Sequence, residues 1–208
     1  MGAVNNWMLV PALLLLVACS APPRLIDRDD SSGFALYRSG RLDRAEIGEI
    51  CALGIEEILV LDGEAEEREC RLRIAACPGL VVRYNRAQDA DSPVSGDFLI
   101  AFDAWILRAR EEGRKVAFRC RHGWHRTGRL AAYYRIRFGG DTVEAAHREM
   151  HEIGHMMSRH PTLDPQVEAY ADFLAGRACP TSEESCVSAG PDPGAPLGRF
   201  PADVCDPG

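Results

Sequence analysis

Between residues 34 and 175, short apolar runs of strand length alternate with longer segments of helical spacing, and this alternation confines the chain to one broad class of fold. Residues 35–38, 58–61, 80–84 and 115–118 read as strands, and 43–53, 64–76 and 97–111 read as helices. In the last of these, Phe98, Ile100, Phe102, Trp105, Ile106 and Ala109 supply an apolar face. From residue 128 onward the pattern is helical only, over 128–138, 142–153 and 164–175. Strands that alternate with helices imply a largely parallel sheet covered on both faces. The expected fold is α/β: a mostly parallel central sheet of four to five strands flanked by helices. No internal repeat is present, and the stretch is long enough for one domain with a real core.

The two ends differ from this middle. The first eighteen residues contain no Asp, Glu, Lys or Arg, and residues 7–18 are almost wholly apolar. Such a run is shorter than the ~20 residues a bilayer-spanning helix needs, and it suits the core of a secretory leader. It closes on Leu16-Val17-Ala18-Cys19, which is similar to the lipobox of bacterial lipoproteins. That resemblance implies cleavage after residue 18, a lipid on Cys19 that holds the chain to a membrane, and an exported location. Ser20 in the next position points to the outer membrane by the enterobacterial sorting rule. Residues 19–33 then read as a lipidated cysteine and tether, 34–176 as the domain, and 177–208 as an irregular tail rich in Pro and Gly.

Export also sets the redox context, because disulfides form and persist outside the cytosol. Of eight cysteines, Cys19 goes to lipid, leaving an odd number in the chain. If Cys120 is the free thiol, the remaining six can form three bridges. The local pairings Cys70–Cys77 and Cys179–Cys186 are the simplest of the 15 connectivities possible. The net charge of −7 argues against nucleic acid as a partner.

Residues 116–129, VAFRCRHGWHRTGR, hold four arginines, two histidines and two glycines around Cys120, between the last predicted strand and the next helix. Ligands of open α/β sheets bind at that end of the strands. Free N–H groups at a helix N-terminus attract phosphate, and Gly123 allows a loop tight enough for several amides to converge. The same field stabilises a thiolate, and the planar fork of Arg126 can hold two phosphate oxygens at once. One loop thus offers a nucleophile, an anion cradle and a charge clamp.

Cys120-x-x-Gly123-x-x-Arg126-Thr127-Gly128 resembles the Cys-x5-Arg signature loop of cysteine-dependent protein tyrosine and dual-specificity phosphatases. The resemblance implies a dual-specificity-phosphatase-like fold and hydrolysis of phosphate monoesters through a phosphocysteine, with no metal or cofactor. Cys120 is then the nucleophile, Arg126 binds the phosphoryl oxygens, and Thr127 supports the thiolate. Arg121, His122, Gly123, Trp124, His125 and Gly128 complete the substrate-binding loop. The family's general acid lies on a loop upstream. Asp89, 31 residues before Cys120, opens a matching Asp-x-x-x-Pro-x-Ser run, and Asp91 is the alternative. The implied substrate is a phosphorylated protein, carrying phosphotyrosine or phosphoserine/threonine. His125-Arg126-Thr127-Gly128 is also similar to a plant and fungal subgroup acting on inositol pyrophosphates, which makes an inositol phosphate the second substrate class.

Two features stand apart from this pattern. Relatives carry His before the cysteine, where this chain has Arg119, a longer side chain that keeps its charge. Residues 151–155 read HEIGH, the spacing that puts two imidazoles one helical turn apart for zinc in metalloproteases. Its surroundings lack the Gly and third His of metzincins, and Met150, Ile153 and Met157 make the segment a packing helix instead. The acids of 64–69 read as a solvated helix face.

Overall fold

A computed structural model describes residues 21–180 and 184–206; the leader and Cys19 lie outside them. The elements are β1 (Arg24–Asp29), β2 (Phe34–Ser39), α1 (Arg44–Ala52), β3 (Ile55–Val60), α2 (Glu69–Ala76), β4 (Val81–Asn85), α3 (Gly96–Glu111), β5 (Lys115–Arg119), α4 (His125–Tyr134), α5 (Val143–Ile153) and α6 (Leu163–Leu174). The strands form one sheet in the order β1-β2-β5-β3-β4, parallel except for β1, which runs antiparallel to β2. This is the expected α/β architecture. The central strand β5 is covered on both sides and is apolar throughout its middle, as buried parallel strands are. Its pleat sends Val116 and Phe118 to the face covered by α3, α4 and α6, and Ala117 to the face covered by α1 and α2.

Helix α3 shows how sequence becomes packing. Ser95 caps it by accepting the Phe98 amide at 3.1 Å. Phe98, Phe102, Trp105 and Ala109 recur at helical spacing and are fully buried. Each such aromatic contributes ~1.5–3 kcal/mol on leaving water. Ile100, expected on that face, instead points outward and is 54% exposed.

Several boundaries differ from the sequence reading. Residues 24–29 are not part of a tether but an edge strand; Ile26 alone is buried, and Asp27 binds Arg110 and Tyr134. One inward residue is too weak an alternation to be read from sequence. The helix expected over 64–76 begins only at Glu69, and Glu69 is fully buried rather than solvated. Glu64 pairs with Arg41. The helix expected over 128–138 starts earlier, at His125, and ends in a π-helical turn at Arg135–Gly139.

The bridges are Cys51–Cys77, Cys70–Cys205 and Cys179–Cys186, and Cys120 is free and buried. Cys179–Cys186 matches the local expectation. Cys70–Cys77 does not form because two residues seven apart along one helix are separated by ~10 Å of rise, beyond the reach of a disulfide. Cys70 instead holds the tail, where Val204 donates to the Val82 carbonyl at 2.7 Å and Phe200 packs its ring against Tyr84 and Phe98. The tail therefore completes the core as well as being stapled to it.

Candidate active site

Cys120 follows the last residue of β5 and is 3% exposed, its side chain on the α4 side of the sheet. Between it and α4 the carbonyls of residues 121–124 all accept from groups outside the loop. The Arg121 carbonyl accepts the Arg41 amide at 3.1 Å, and the His122 carbonyl accepts the Ala21 amide at 3.1 Å. The Gly123 and Trp124 carbonyls accept the Arg38 Nη2 at 2.8 and 3.2 Å. In a trans peptide the C=O and the following N–H point in opposite directions. Four carbonyls drawn outward therefore turn the next four amides, of residues 122–125, toward the inside of the loop. Helix α4 adds its own N-terminus, which carries no side-chain cap.

Gly123 makes this curl possible. It sits at φ +78°, and a Cβ there would come within 2.7 Å of the Gly40 amide nitrogen. Gly128 also has a packing role. It is buried beneath α5, where an added Cβ would meet Met150 Cγ at 3.1 Å, so its lack of a side chain serves helix packing.

Arg38 is one residue that the sequence reading missed. It is buried, and burial pushes its pKa down to about 10, against the opposing charge of Cys120. Its Nη2 also donates to Thr127 Oγ1 at 3.3 Å. That hydroxyl, having accepted from Arg38, still has its own proton to offer Cys120 Sγ, 3.8 Å away. The only sequence signal was an arginine at the end of an apolar strand.

Arg119 is directed away from all this by the pleat. With Phe118 and Cys120 on one face, Arg119 lies on the other, fully buried. It binds Glu69 at 2.5 and 2.6 Å and also binds Asp62. Burial alone would lower its pKa, but the two carboxylates outweigh that and raise it. Its charge is thus spent on a buried ion cluster and is not aimed at the loop.

A cleft of about 820 Å³ opens over Cys120. Arg121, His122, Trp124, His125 and Arg126 line it from the loop, and Gly154, His155, Met156, Arg159 and His160 line it from the α5–α6 connection. Arg126 has a buried Nε with no hydrogen-bond partner among the described residues. The His122 and Trp124 rings stack at 5.3 Å, and the His155 ring meets Trp124 edge-on at 4.9 Å. Burial, followed by the charges of Arg121, Arg41 and Arg126, lowers the pKa of His122. His125 is lowered too, chiefly by burial.

The cleft also settles the shape of HEIGH. Helix α5 stops at Ile153, and Gly154 is extended. His151 turns to Asp164 at 2.7 Å, while the His155 carbonyl binds His125 Nε2 at 2.8 Å. The two imidazoles therefore do not share a helical turn.

Asp89 and Asp91 flank Ala90, which reaches the cleft wall. Asp91 is engaged by His160 Nδ1 at 2.9 Å and Thr162 Oγ1 at 3.1 Å. Asp89 is exposed; its carboxylate accepts the Asp91 amide at 3.1 Å and Ser92 Oγ at 3.2 Å. Its pKa is lowered, first by the Asp91 amide and also by the charges of Arg126 and Arg129. The loop itself is held by Arg129, fully buried in α4, which donates to the carbonyls of Asp89 at 3.2 Å, Ala90 at 3.4 Å and Ser92 at 2.7 Å. Gln166 of α6 receives Arg129 and donates to the Ala90 carbonyl at 3.2 Å. Sequence reasoning missed this clamp, because its parts lie far apart in the chain.

A free cysteine at the end of the central strand of a mostly parallel sheet, with a tight loop and a helix after it, is the fold of the cysteine-based tyrosine and dual-specificity phosphatases, and this chain has that fold. Among solved structures it is similar to the catalytic core of the PP-IP phosphatase SIW14 from S. cerevisiae, with a TM-score of 0.52, 18% identity, and coverage of 76% of this chain and 91% of that one. It is similar to Tk-PTP in its active form, with a TM-score of 0.51, 19% identity, and coverage of 70% and 95%. P. aeruginosa TpbA is 22% identical with a TM-score of 0.47, over 74% of this chain and 91% of its own. No family model matches the chain. No curated protein matches it either.

Proposed function

We propose that this protein is a phosphatase that hydrolyses phosphate monoesters through a phosphocysteine on Cys120. The observation that carries the reading is the inward turn of the loop amides beside a buried free thiol and Arg126, whose buried Nε has no partner among the described residues. Such a loop has no internal partner for its donors, and a phosphoryl group supplies three acceptor oxygens.

In the first step the Cys120 sulfur attacks phosphorus and the ester P–O bond breaks. Arg126 and the loop amides bind the equatorial oxygens, and Asp89 gives its proton to the leaving oxygen. In the second step a water attacks phosphorus, the P–S bond breaks, Asp89 takes the water's proton, and inorganic phosphate leaves. Thr127, with its proton directed to Sγ, stabilises the returning thiolate. Asp89 is preferred to Asp91 because it opens the Asp-x-x-x-Pro-x-Ser run and feels the charge of Arg126. A bound phosphoryl group engages Arg126 and adds negative charge beside Asp89, which raises its pKa toward the protonated form the first step needs.

The flat wall of His122 and Trp124 can receive the ring of an aryl ester, so an aryl phosphate is the appropriate first probe. Phosphotyrosine and inositol phosphates, the substrates implied by resemblance, both carry the required ester. The apolar leader ending in Leu16-Val17-Ala18-Cys19 supports attachment to a membrane through lipid on Cys19, facing the periplasm or outside.

Hydrolysis of p-nitrophenyl phosphate, measured with and without EDTA, tests the reading. Activity unchanged by EDTA and lost in Cys120→Ser, with tungstate binding retained, is the expected result. Turnover by Cys120→Ser near that of the parent would remove the nucleophile assignment.

A further inference from the structure

The chain is already docked on the signature loop at Ala21. Its amide donates to the His122 carbonyl at 3.1 Å, its carbonyl accepts the Gly40 amide at 2.7 Å, and its Cβ lies about as near as the loop's Gly123 allows, 3.0 Å from where a side chain there would begin. Cys19 is two residues earlier, and two residues of extended chain reach at most ~7 Å. No length of tether separates a lipid on Cys19 from the site. Strand β1 then pairs Arg24 with Arg38, at the end of β2 nearest the loop, and runs away from there. An anchor at Cys19 therefore holds the mouth-side end of the sheet, and no other, against the bilayer.

The surface so held has the character of an interfacial face. The chain as a whole carries a net charge of −7, yet the rim of the cleft presents Arg121 and Arg159, both exposed, together with Arg126. Acidic surface is repelled by anionic lipid and basic rim attracted to it, each Lys or Arg near such a surface being worth ~1 kcal/mol. Trp124 stands on the same rim, the kind of ring that settles at headgroup level. Beside it Met156 is held 47% exposed at φ +56°, a conformation unfavourable to a side chain.

We propose that the cleft face docks on the anionic bilayer that holds the Cys19 lipid, and that the substrate is a phosphomonoester on a lipid headgroup in that surface. The inference rests on the phosphatase and anchor readings above. A headgroup phosphate enters the cleft from the membrane plane, whereas a phosphoprotein in bulk solvent must pass between the rim and the bilayer. The reaction is the one already described: the lipid ester P–O bond breaks, and water supplies the proton and oxygen that yield the lipid alcohol and inorganic phosphate.

The test uses the full-length lipidated protein in vesicles of phosphatidylcholine and phosphatidylglycerol doped with phosphatidic acid. It is compared with a form carrying a 20-residue Gly/Ser spacer between Ser20 and Ala21. The spacer keeps the lipid and the Ala21 contacts but frees the cleft to an r.m.s. distance of ~25 Å. Both forms are assayed on vesicle phosphatidic acid, its monomeric short-chain analogue, p-nitrophenyl phosphate and a phosphotyrosyl peptide. The expected result is a fall of ~10-fold or more in the ratio of vesicle to monomeric hydrolysis when the spacer is present. Quenching of Trp124 by brominated lipid should also be lost, as read against Trp124→Phe. An unchanged ratio overturns the proposal, as does faster hydrolysis of the phosphotyrosyl peptide than of either lipid by the anchored parent. The underlying readings fail separately: absence of lipid mass on Cys19 removes the anchor, and silence on p-nitrophenyl phosphate removes the phosphatase.

Discussion

Arg129→Met isolates what the buried arginine of α4 does for the loop that carries Asp89, the proposed general acid. Methionine has similar length and no charge, so the core stays filled while the donors to the loop vanish. The Ala90 carbonyl keeps Gln166 as a donor, but the Asp89 and Ser92 carbonyls lose theirs. Two partly buried acceptors without partners cost ~1–3 kcal/mol each. Against this, removal of a cation whose pKa burial has already lowered returns part of that cost. A net loss of ~2 kcal/mol corresponds to a fall in Tm of ~4–8 °C for a domain of this size, so activity can be measured on folded protein. The loop that carries Asp89 would then wander, and the ceiling on the effect is the whole worth of a positioned acid, ~10²–10⁴-fold. The assay is kcat across aryl phosphates of increasing leaving-group pKa, with Asp89→Asn as the reference. Good leaving groups need no proton and should lose less than ~3-fold, while poor ones should lose ~10²-fold. The double variant should be no worse than Asp89→Asn alone, because both act through one proton transfer. An equal loss on every leaving group, or additive losses in the double variant, would refute Arg129 as a positioning residue.

Arg119→Leu should destabilise by ~3–5 kcal/mol in chemical denaturation, since it leaves the Asp62 and Glu69 carboxylates without their cation. Arg119→His should recover part of this and alter the pH profile without abolishing activity; full inactivation would show that Arg119 serves the loop directly. Gly123→Ala, at φ +78° and against the Gly40 amide, should lose tungstate binding while retaining secondary structure by circular dichroism. Because the His122 and His125 pKa values are lowered in the folded chain, their contribution to stability is full above their unfolded value of about 6.5 and is lost as pH falls through the folded values. Bound anion reverses that preference, so tungstate affinity should rise as pH falls below 6.5, and His122→Gln/His125→Gln should flatten the dependence in a titration calorimeter.

The residues that carry the phosphatase proposal are close together in the chain, and so the sequence alone exposes them. Cys120, Gly123, Arg126 and Thr127 fall within one loop, and the strands and helices on either side show their periods within a dozen residues each. The same is true of the four parallel strands and of α3, where the caps and the apolar spacing are local. What failed was every feature whose partner is distant. Arg38 and the signature loop are brought together by the pairing of β2 with β5, and Arg129, Gln166 and the Asp89 loop by the packing of α4 on α6. The direction of Arg119 follows from a pleat whose two buried faces are chemically alike until Glu69 and Asp62 are placed beneath one of them. Cys70 pairs with Cys205, 135 residues away, a partner that no local spacing reveals. Ala21 reads as part of a tether, yet its backbone is hydrogen-bonded to the loop that holds Cys120. Local sequence determined which groups exist and which segments carry them. Tertiary structure alone decided which charges neutralise one another and which remain free for a ligand, because electrostatic and hydrogen-bond partners are chosen by distance in space.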